Sequence, residues 1–208
     1  MFANLRKLSK EEFTGTSLSF TAFCIALNLT AGQLTTALKI PMYLDSIGTV
    51  LAAVLIGPLS AILAGSLANL LAAAFGNPSN VLFIPVVVII GAFSGFVARL
   101  GWFKHWYLVV LGGILQGILA ALASAPISAY LFSGVMMSGM DFLVLYFRAM
   151  GNSLLQSVFL QGLASDPVDK LVTYTIVFLL VRNLPFRLIS RFRGARNIQP
   201  TPPLTNET

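Results

Sequence analysis

Residues 106–132 read WYLVVLGGILQGILAALASAPISAYLF, with no Asp, Glu, Lys, Arg or His anywhere in the run. A stretch of about 20 apolar residues is enough to cross the roughly 30 Å hydrocarbon core of a bilayer. Lipid offers the backbone no hydrogen-bond partners, so a crossing segment must be a helix or a strand of a closed barrel. Barrel strands alternate apolar and polar residues over about ten positions. The 106–132 run is continuously apolar, and it predicts a membrane helix.

Other runs of the same kind flank it. Ser17–Leu38 is apolar until Lys39, Ile40 and Pro41 break it, and Leu44–Ile56 ends at the breaker pair Gly57-Pro58. Leu59–Phe75 follows at once, the cluster Gly76-Asn77-Pro78-Ser79-Asn80 marks a turn, and Val81–Leu100 forms the next run. The last run, Leu171–Val181, is extended back to about Pro167. These readings predict an all-α, polytopic membrane protein of about six transmembrane helices. Composition agrees: 57% of the 208 residues are hydrophobic and only 10% charged, against about 25% charged in soluble domains. Of the 13 Lys and Arg residues, three (Lys39, Arg148, Lys170) lie outside the segments assigned to the cytoplasm. The other ten are Arg6, Lys7, Lys10, Arg99, Lys104, Arg182, Arg187, Arg191, Arg193 and Arg196. That bias places both termini inside. The expected organisation is a cytoplasmic segment 1–16, a membrane-embedded domain 17–185, and a tail 186–208 that is basic and then disordered.

One cysteine, Cys24, and one histidine, His105, leave no cluster able to hold a transition metal. No serine-histidine-acid motif and no Walker-type phosphate loop is present, so no enzymatic activity is expected. The polar residues at membrane depth carry more information, because burying them in lipid is costly. Asn28 and Gln33 either contact a solute or tie the first span to a neighbour. Asp45, just after Tyr43, either holds a donor group of a solute or caps the next helix. Asn69 and Gln116 read as helix-to-helix ties. Arg148, Asn152 and Gln156 recur every four residues, which predicts one polar helix face looking into water or a pocket within the segment 133–166. Asp166 before Pro167 reads as a helix N-cap followed by the first helical residue. Ala22 and Ala26, and likewise Ala61, Gly65 and Asn69, form narrow small-residue faces of the type that lets membrane helices approach closely, either inside one chain or between chains.

Size, span number, cytoplasmic termini, Ala22-x-x-x-Ala26, and Tyr43-Leu44-Asp45-Ser46-Ile47-Gly48-Thr49 leading into Leu55-Ile56-Gly57-Pro58 and Gly65 resemble one family over about residues 15–185. It is the substrate-binding S components of energy-coupling factor (ECF) transporters, the prokaryotic importers of vitamins. The resemblance implies a multi-pass protein of the prokaryotic cell membrane. It implies that a vitamin or related micronutrient binds near the outer face, under a gate formed by residues 33–46. Asn28, Gln33, Tyr43, Asp45, Arg148, Asn152 and Gln156 are the substrate-binding candidates. Ala22 and Ala26 would dock on a transmembrane coupling subunit that joins two ABC-type ATPases. No cofactor is implied in this chain, since the partner ATPases use the ATP, and no nucleic acid is implied as a partner. The residue types at the candidate positions predict a mostly neutral or zwitterionic solute. A stand-alone secondary transporter or channel for a small organic solute is the alternative reading.

Overall fold

Thr14 starts the first helix: its hydroxyl accepts from Ser17 N at 3.3 Å, satisfying one amide that a helix start leaves without a partner. Helix α1 then runs Gly15–Ala37. It closes with Lys39 N donating to Thr36 O (3.2 Å) and Ile40 N to Thr35 O (2.9 Å), while Lys39 itself sits at φ 51°. That pattern satisfies the last carbonyls and places a lysine in the left-handed position usually held by glycine. The computed structural model describes residues 12–132 and 141–198, and all its secondary structure is helical.

Helix α2, Ile47–Leu55, is much shorter than the 44–56 span expected. Nine residues rise only about 13 Å, and all nine are buried. The chain departs from helix over Leu44–Ser46 because Leu44 takes φ 49°. Asn28 of α1 fixes the start of α2: its Oδ1 accepts from Gly48 N (2.7 Å) and Thr49 N (3.2 Å), and its Nδ2 donates to Thr49 Oγ1 (2.8 Å). At Gly48 the two backbones nearly touch, since a Cβ there would stand 2.0 Å from the Cys24 carbonyl oxygen.

Gly57, at φ 152°, turns the chain into α3, Pro58–Ala74. No side chain of Gly57 can cap this helix, and Glu12 does so from a distance in sequence. Glu12 Oε2 accepts from Leu59 N (2.9 Å) and Ser60 N (3.1 Å), and Oε1 from Arg99 Nη2 (2.8 Å). Burial pushes the Glu12 carboxyl above its ordinary range, against the pull of the Ser60 amide, Arg99 and the Leu59 amide. A 3-10 turn, Pro78–Phe83, leads into α4, Ile84–Arg99. A second, Trp102–Lys104, leads into α5, Trp106–Phe132. Helix α6 is Asp141–Ala149 and α7 is Leu154–Asn183. Helix α8, Phe186–Ile189, and a 3-10 turn, Arg193–Asn197, finish the described chain.

Helix α2 lies at the centre, against α1, α3, α4 and α7. Glycines set the other close contacts. Gly91 and Gly95 of α4 meet Ile62 and Pro58 of α3, and Gly113 and Gly117 of α5 meet Leu171 and Pro167 of α7. These stripes serve packing within the chain. The face of Ala61 and Gly65 is likewise internal, and Asn69 donates to Asn80 O (3.1 Å). Residues 186–198 fold back under α2: Ile189, Phe192 and Ile198 are buried, and Gly194 packs on the Val54 carbonyl. The tail expected to be disordered after Arg196 is ordered at its start, where Asn197 ends the 3-10 turn and Ile198 is buried; from 199 onward it lies outside the described residues, as do 1–11 and 133–140.

Among the described residues, three helices are long and apolar enough to cross a membrane: Gly15–Ala37, Pro78–Arg99 and Trp106–Phe132. Their outer faces carry Phe23, Phe96, Trp106, Leu122 and Tyr130, all exposed, as lipid-facing residues are. The described residues are all-α, and three such helices suggest a membrane protein. The six-span count does not follow from length and apolarity: α2 is too short, α3 has 17 residues, and α7 carries Asp166, Asp169 and Lys170 in its middle.

Candidate functional site

Helix α7 begins earlier than Pro167. Ser153 caps it through a reciprocal pair, Gln156 N to Ser153 Oγ (3.3 Å) and Ser153 N to Gln156 Oε1 (3.0 Å), a capping box. Pro167 therefore lies inside a 30-residue helix, and Asp166 is not an N-cap. The consequence is chemical. Gln161, Ser165, Asp166, Asp169, Lys170, Thr173 and Tyr174 all fall on the buried side of one continuous helix.

The connection between α1 and α2 lies over this strip. Asp169, wholly buried, accepts at Oδ1 from Tyr43 N and Leu44 N, both at 2.9 Å. The left-handed turn at Leu44 brings the two successive amides to one oxygen, an anion-holding arrangement of backbone N–H groups. The other oxygen, Oδ2, accepts from Lys170 Nζ at 2.5 Å. Lys170 Nζ also donates to Ser46 Oγ (2.9 Å) and stands 3.9 Å from Asp45 Oδ1. Asp166 stands one turn before Lys170 on the same buried side of α7. Its Oδ1 accepts from Ser165 Oγ (3.3 Å), which in turn accepts from Gln161 Nε2 (2.7 Å). Asp45 and Asp169 flank the ammonium, and with Asp166 nearby on the helix the formal balance is −2. Asp169 neutralises Lys170, and Asp45, half exposed, and Asp166, 7% exposed, are left in excess.

A second polar layer lies one turn further along α7. The hydroxyls of Ser94 and Tyr174 are 2.8 Å apart, and Gln116 Oε1 lies 3.4 Å from each. Among the described residues, Gln116 Nε2 and Thr173 Oγ1 are buried without a hydrogen-bond partner.

The positions singled out in the sequence divide between roles. Tyr43 and Asp45 belong to the cluster, Tyr43 through its backbone. Asn28 is committed to α2, and Gln33 is exposed on α1. Arg148, Asn152 and Gln156 do not share a helix face. The chain leaves helix between α6 and α7, with Gly151 at φ 91°. Arg148 is exposed at the end of α6, Asn152 donates to Phe147 O (3.0 Å), and Gln156 serves the capping box. Gln156 also borders an open apolar cleft of about 270 Å³ between α5 and α7, with Leu122, Pro126, Leu155 and Phe159. The residues not anticipated as a site are Ser46, Asp166, Asp169, Lys170 and Thr173. Their signal was present as Asp-x-x-Asp-Lys, spacing that puts all three charges on adjacent turns of one helix. No protein-family model, no curated protein and no solved structure matches this chain.

Proposed function

We propose that this chain is the substrate-binding membrane subunit of an ECF-type importer. It binds a micronutrient in the polar cluster of α7 and releases it inward when coupled to a membrane subunit and two ATPases. The observation that carries the reading is the 38–46 connection. It lies over the buried charges of α7 and is fastened by its Tyr43 and Leu44 amides to Asp169, by Ser46 to Lys170 and by the Tyr43 carbonyl to Thr35. A short connection tied by a few side-chain contacts can open without unfolding the helices beneath it, as a gate over a solute site must. The peripheral place of α1 supports the same reading, with Ala22 and Ala26 exposed and available to a partner helix.

Buried charges in a membrane helix also serve ion-coupled carriers, so the Asp169–Lys170 pair favours one second reading, a secondary transporter acting alone. The two separate in one experiment. Gentle purification from the native membrane is expected to bring down a coupling subunit with ATP-hydrolysing partners. The purified chain alone in liposomes is expected to bind solute without accumulating it under an ion gradient. Gradient-driven uptake by the lone chain, with no ATPase recovered, overturns the proposal.

A further inference from the structure

We propose that residues 182–193 form a docking surface for the phosphate headgroups of anionic phospholipids, with Arg187 and Arg191 as its main contacts. This rests on the membrane reading of the apolar helices and is independent of the importer reading above.

Between Lys170 and Glu207 the sequence has no acidic residue, and its five cations, Arg182, Arg187, Arg191, Arg193 and Arg196, are all arginine. The segment that carries them is folded onto the bundle. Past the end of α7, the Leu188 and Ile189 amides donate to Pro185 O (2.9 and 3.2 Å), Arg191 N to Leu188 O (3.2 Å) and Phe192 N to Ile189 O (2.9 Å). Ile189 and Phe192 are buried, and the Phe192 ring lies 4.7 Å from that of Phe20 in α1. Arg187 and Arg191, four residues apart, are exposed. Burial of one side of these turns therefore holds the guanidinium groups of the other side outward. Neither arginine makes an ion pair among the described residues. The described acid at this end of the bundle, Glu12, is wholly buried and already accepts from Arg99 and two amides of α3. The surface is left with unneutralised positive charge, in the planar form that matches phosphate oxygens two at a time.

Position selects a lipid over a soluble anion. Leu179 and Leu180, in the last turn of α7 before these arginines, are exposed, and the Arg182 guanidinium lies over the Phe178 ring at 4.6 Å. The turn Trp102–Lys104 packs beside the Arg193–Asn197 turn, and Trp106 and Tyr107, which follow it, are both exposed. Exposed Trp and Tyr next to Lys and Arg mark the level where hydrocarbon gives way to headgroups. The arginines thus border an apolar belt directly. A phosphate that carries acyl chains can meet the guanidinium groups and cover the leucines together, whereas a soluble anion gains the charge contact alone. Basic residues beside a membrane segment draw anionic lipid in this way.

The test uses the full chain in mild detergent with two probe lipids of identical acyl chains, phosphatidylglycerol and phosphatidylcholine. Native mass spectrometry counts each lipid retained from an equimolar mixture. Phosphatidylglycerol is expected to be retained at least about tenfold over phosphatidylcholine, with a preference that falls as salt rises. Arg187→Gln and Arg191→Gln are each expected to lower that preference about fivefold, and the double variant to remove it. The pair Arg187→Lys with Arg191→Lys keeps the charge and is expected to keep most of the preference. Arg148→Gln removes an exposed arginine at the opposite end of the bundle and is expected to change nothing. The preference is a ratio taken within one sample, so a lower yield of folded variant does not shift it. Inorganic phosphate and a short single-stranded oligonucleotide, added at constant ionic strength, are expected not to displace phosphatidylglycerol. Equal retention of the two lipids, an unchanged preference in the double Gln variant, a Lys pair as defective as the Gln pair, or an equal loss in Arg148→Gln overturns the proposal. Displacement by phosphate or by the oligonucleotide overturns it too, by showing a site for soluble anions.

Discussion

Lys39 holds the left-handed position that ends α1, with φ 51°, and its side chain is exposed. Glycine adopts that conformation at no steric cost, whereas a side chain there strains against its own backbone. Lys39→Gly is therefore expected to stabilise the fold by about 0.5–1 kcal/mol, read as a raised unfolding midpoint; a lowered midpoint would mean the lysine makes contacts that outweigh the strain. Asp169 stands at the opposite extreme. Removing it leaves a buried ammonium and two loop amides without their acceptor, and Asp169→Ala is expected to cost about 3–5 kcal/mol, as breaking one side of a buried ion pair does. Replacing the pair together, Asp169→Leu with Lys170→Met, removes both desolvated charges and is expected to be less damaging than Asp169→Ala alone. A double variant no better than the single one would show that Asp169 acts chiefly through the loop amides and hardly through Lys170. Both measurements are denaturant or thermal unfolding of the purified protein.

Helices α5 and α7 show how close approach, and no special side chain, ties the charged helix into the bundle. A Cβ on Gly117 would stand 2.3 Å from Pro167 Cα and 2.6 Å from the Asp166 carbonyl carbon, both backbone atoms that cannot swing away. Gly117→Ala is expected to cost about 1–3 kcal/mol, the range for overpacking, whereas Gly15→Ala, with open space around it, is expected to be neutral or mildly stabilising. Equal effects at the two positions, in parallel thermal melts, would show that helix propensity and not backbone contact decides. Helices of this kind were legible in the sequence wherever breakers bound an apolar run: α5 matches the quoted stretch from Trp106 to Phe132, and α3 and α4 begin and end within a few residues of Pro58, Gly76, Pro78 and Leu100. Two elements were misread, each for a physical reason. Asp-Pro at 166–167 is a sound local start signal, but a serine–glutamine capping box thirteen residues upstream had already begun the helix, and the close packing of Gly117 accommodates the interior proline. The shortness of α2 came from a left-handed Leu44 held by Asp169, a contact across more than a hundred residues. The site was half legible for the same reason. Tyr43 and Asp45 stand beside a visible break, whereas the pairing of Asp169 with that break exists only in three dimensions.

At the scale of the whole molecule the three apolar helices are unequally enclosed: 22% of the most apolar window of α1 is buried, against 39% for Pro78–Arg99 and 44% for Trp106–Phe132. Helix α1 grips the bundle along one edge, through Ser17, Thr21, Cys24 and Asn28, all buried. Its opposite edge presents Ser19, Ala22, Ala26 and Thr30, all exposed and none larger than threonine. The hydrophobic effect does not join helices within lipid; close backbone approach does, and small residues permit it. An indole placed on this edge therefore has little to disturb inside the chain and much to disturb between chains. If the chain is the importer subunit proposed above, Ala22→Trp and Ala26→Trp are expected to leave the melting midpoint and solute binding of the isolated chain unchanged, and to reduce ATP-driven uptake in vesicles reconstituted with its partners at least about tenfold, equivalent to some 1.4 kcal/mol of lost association. Gly48→Ala supplies the internal contrast, because its Cβ would meet the Cys24 carbonyl at 2.0 Å and the isolated chain itself should lose stability. If the tryptophan variants lost solute binding, the outer edge of α1 would be part of the receptor and not its coupling face. If they transported normally, the partner would have to dock on another face of the bundle, for which the exposed side of α5 around Leu111, Leu115 and Leu122 is the next surface to probe.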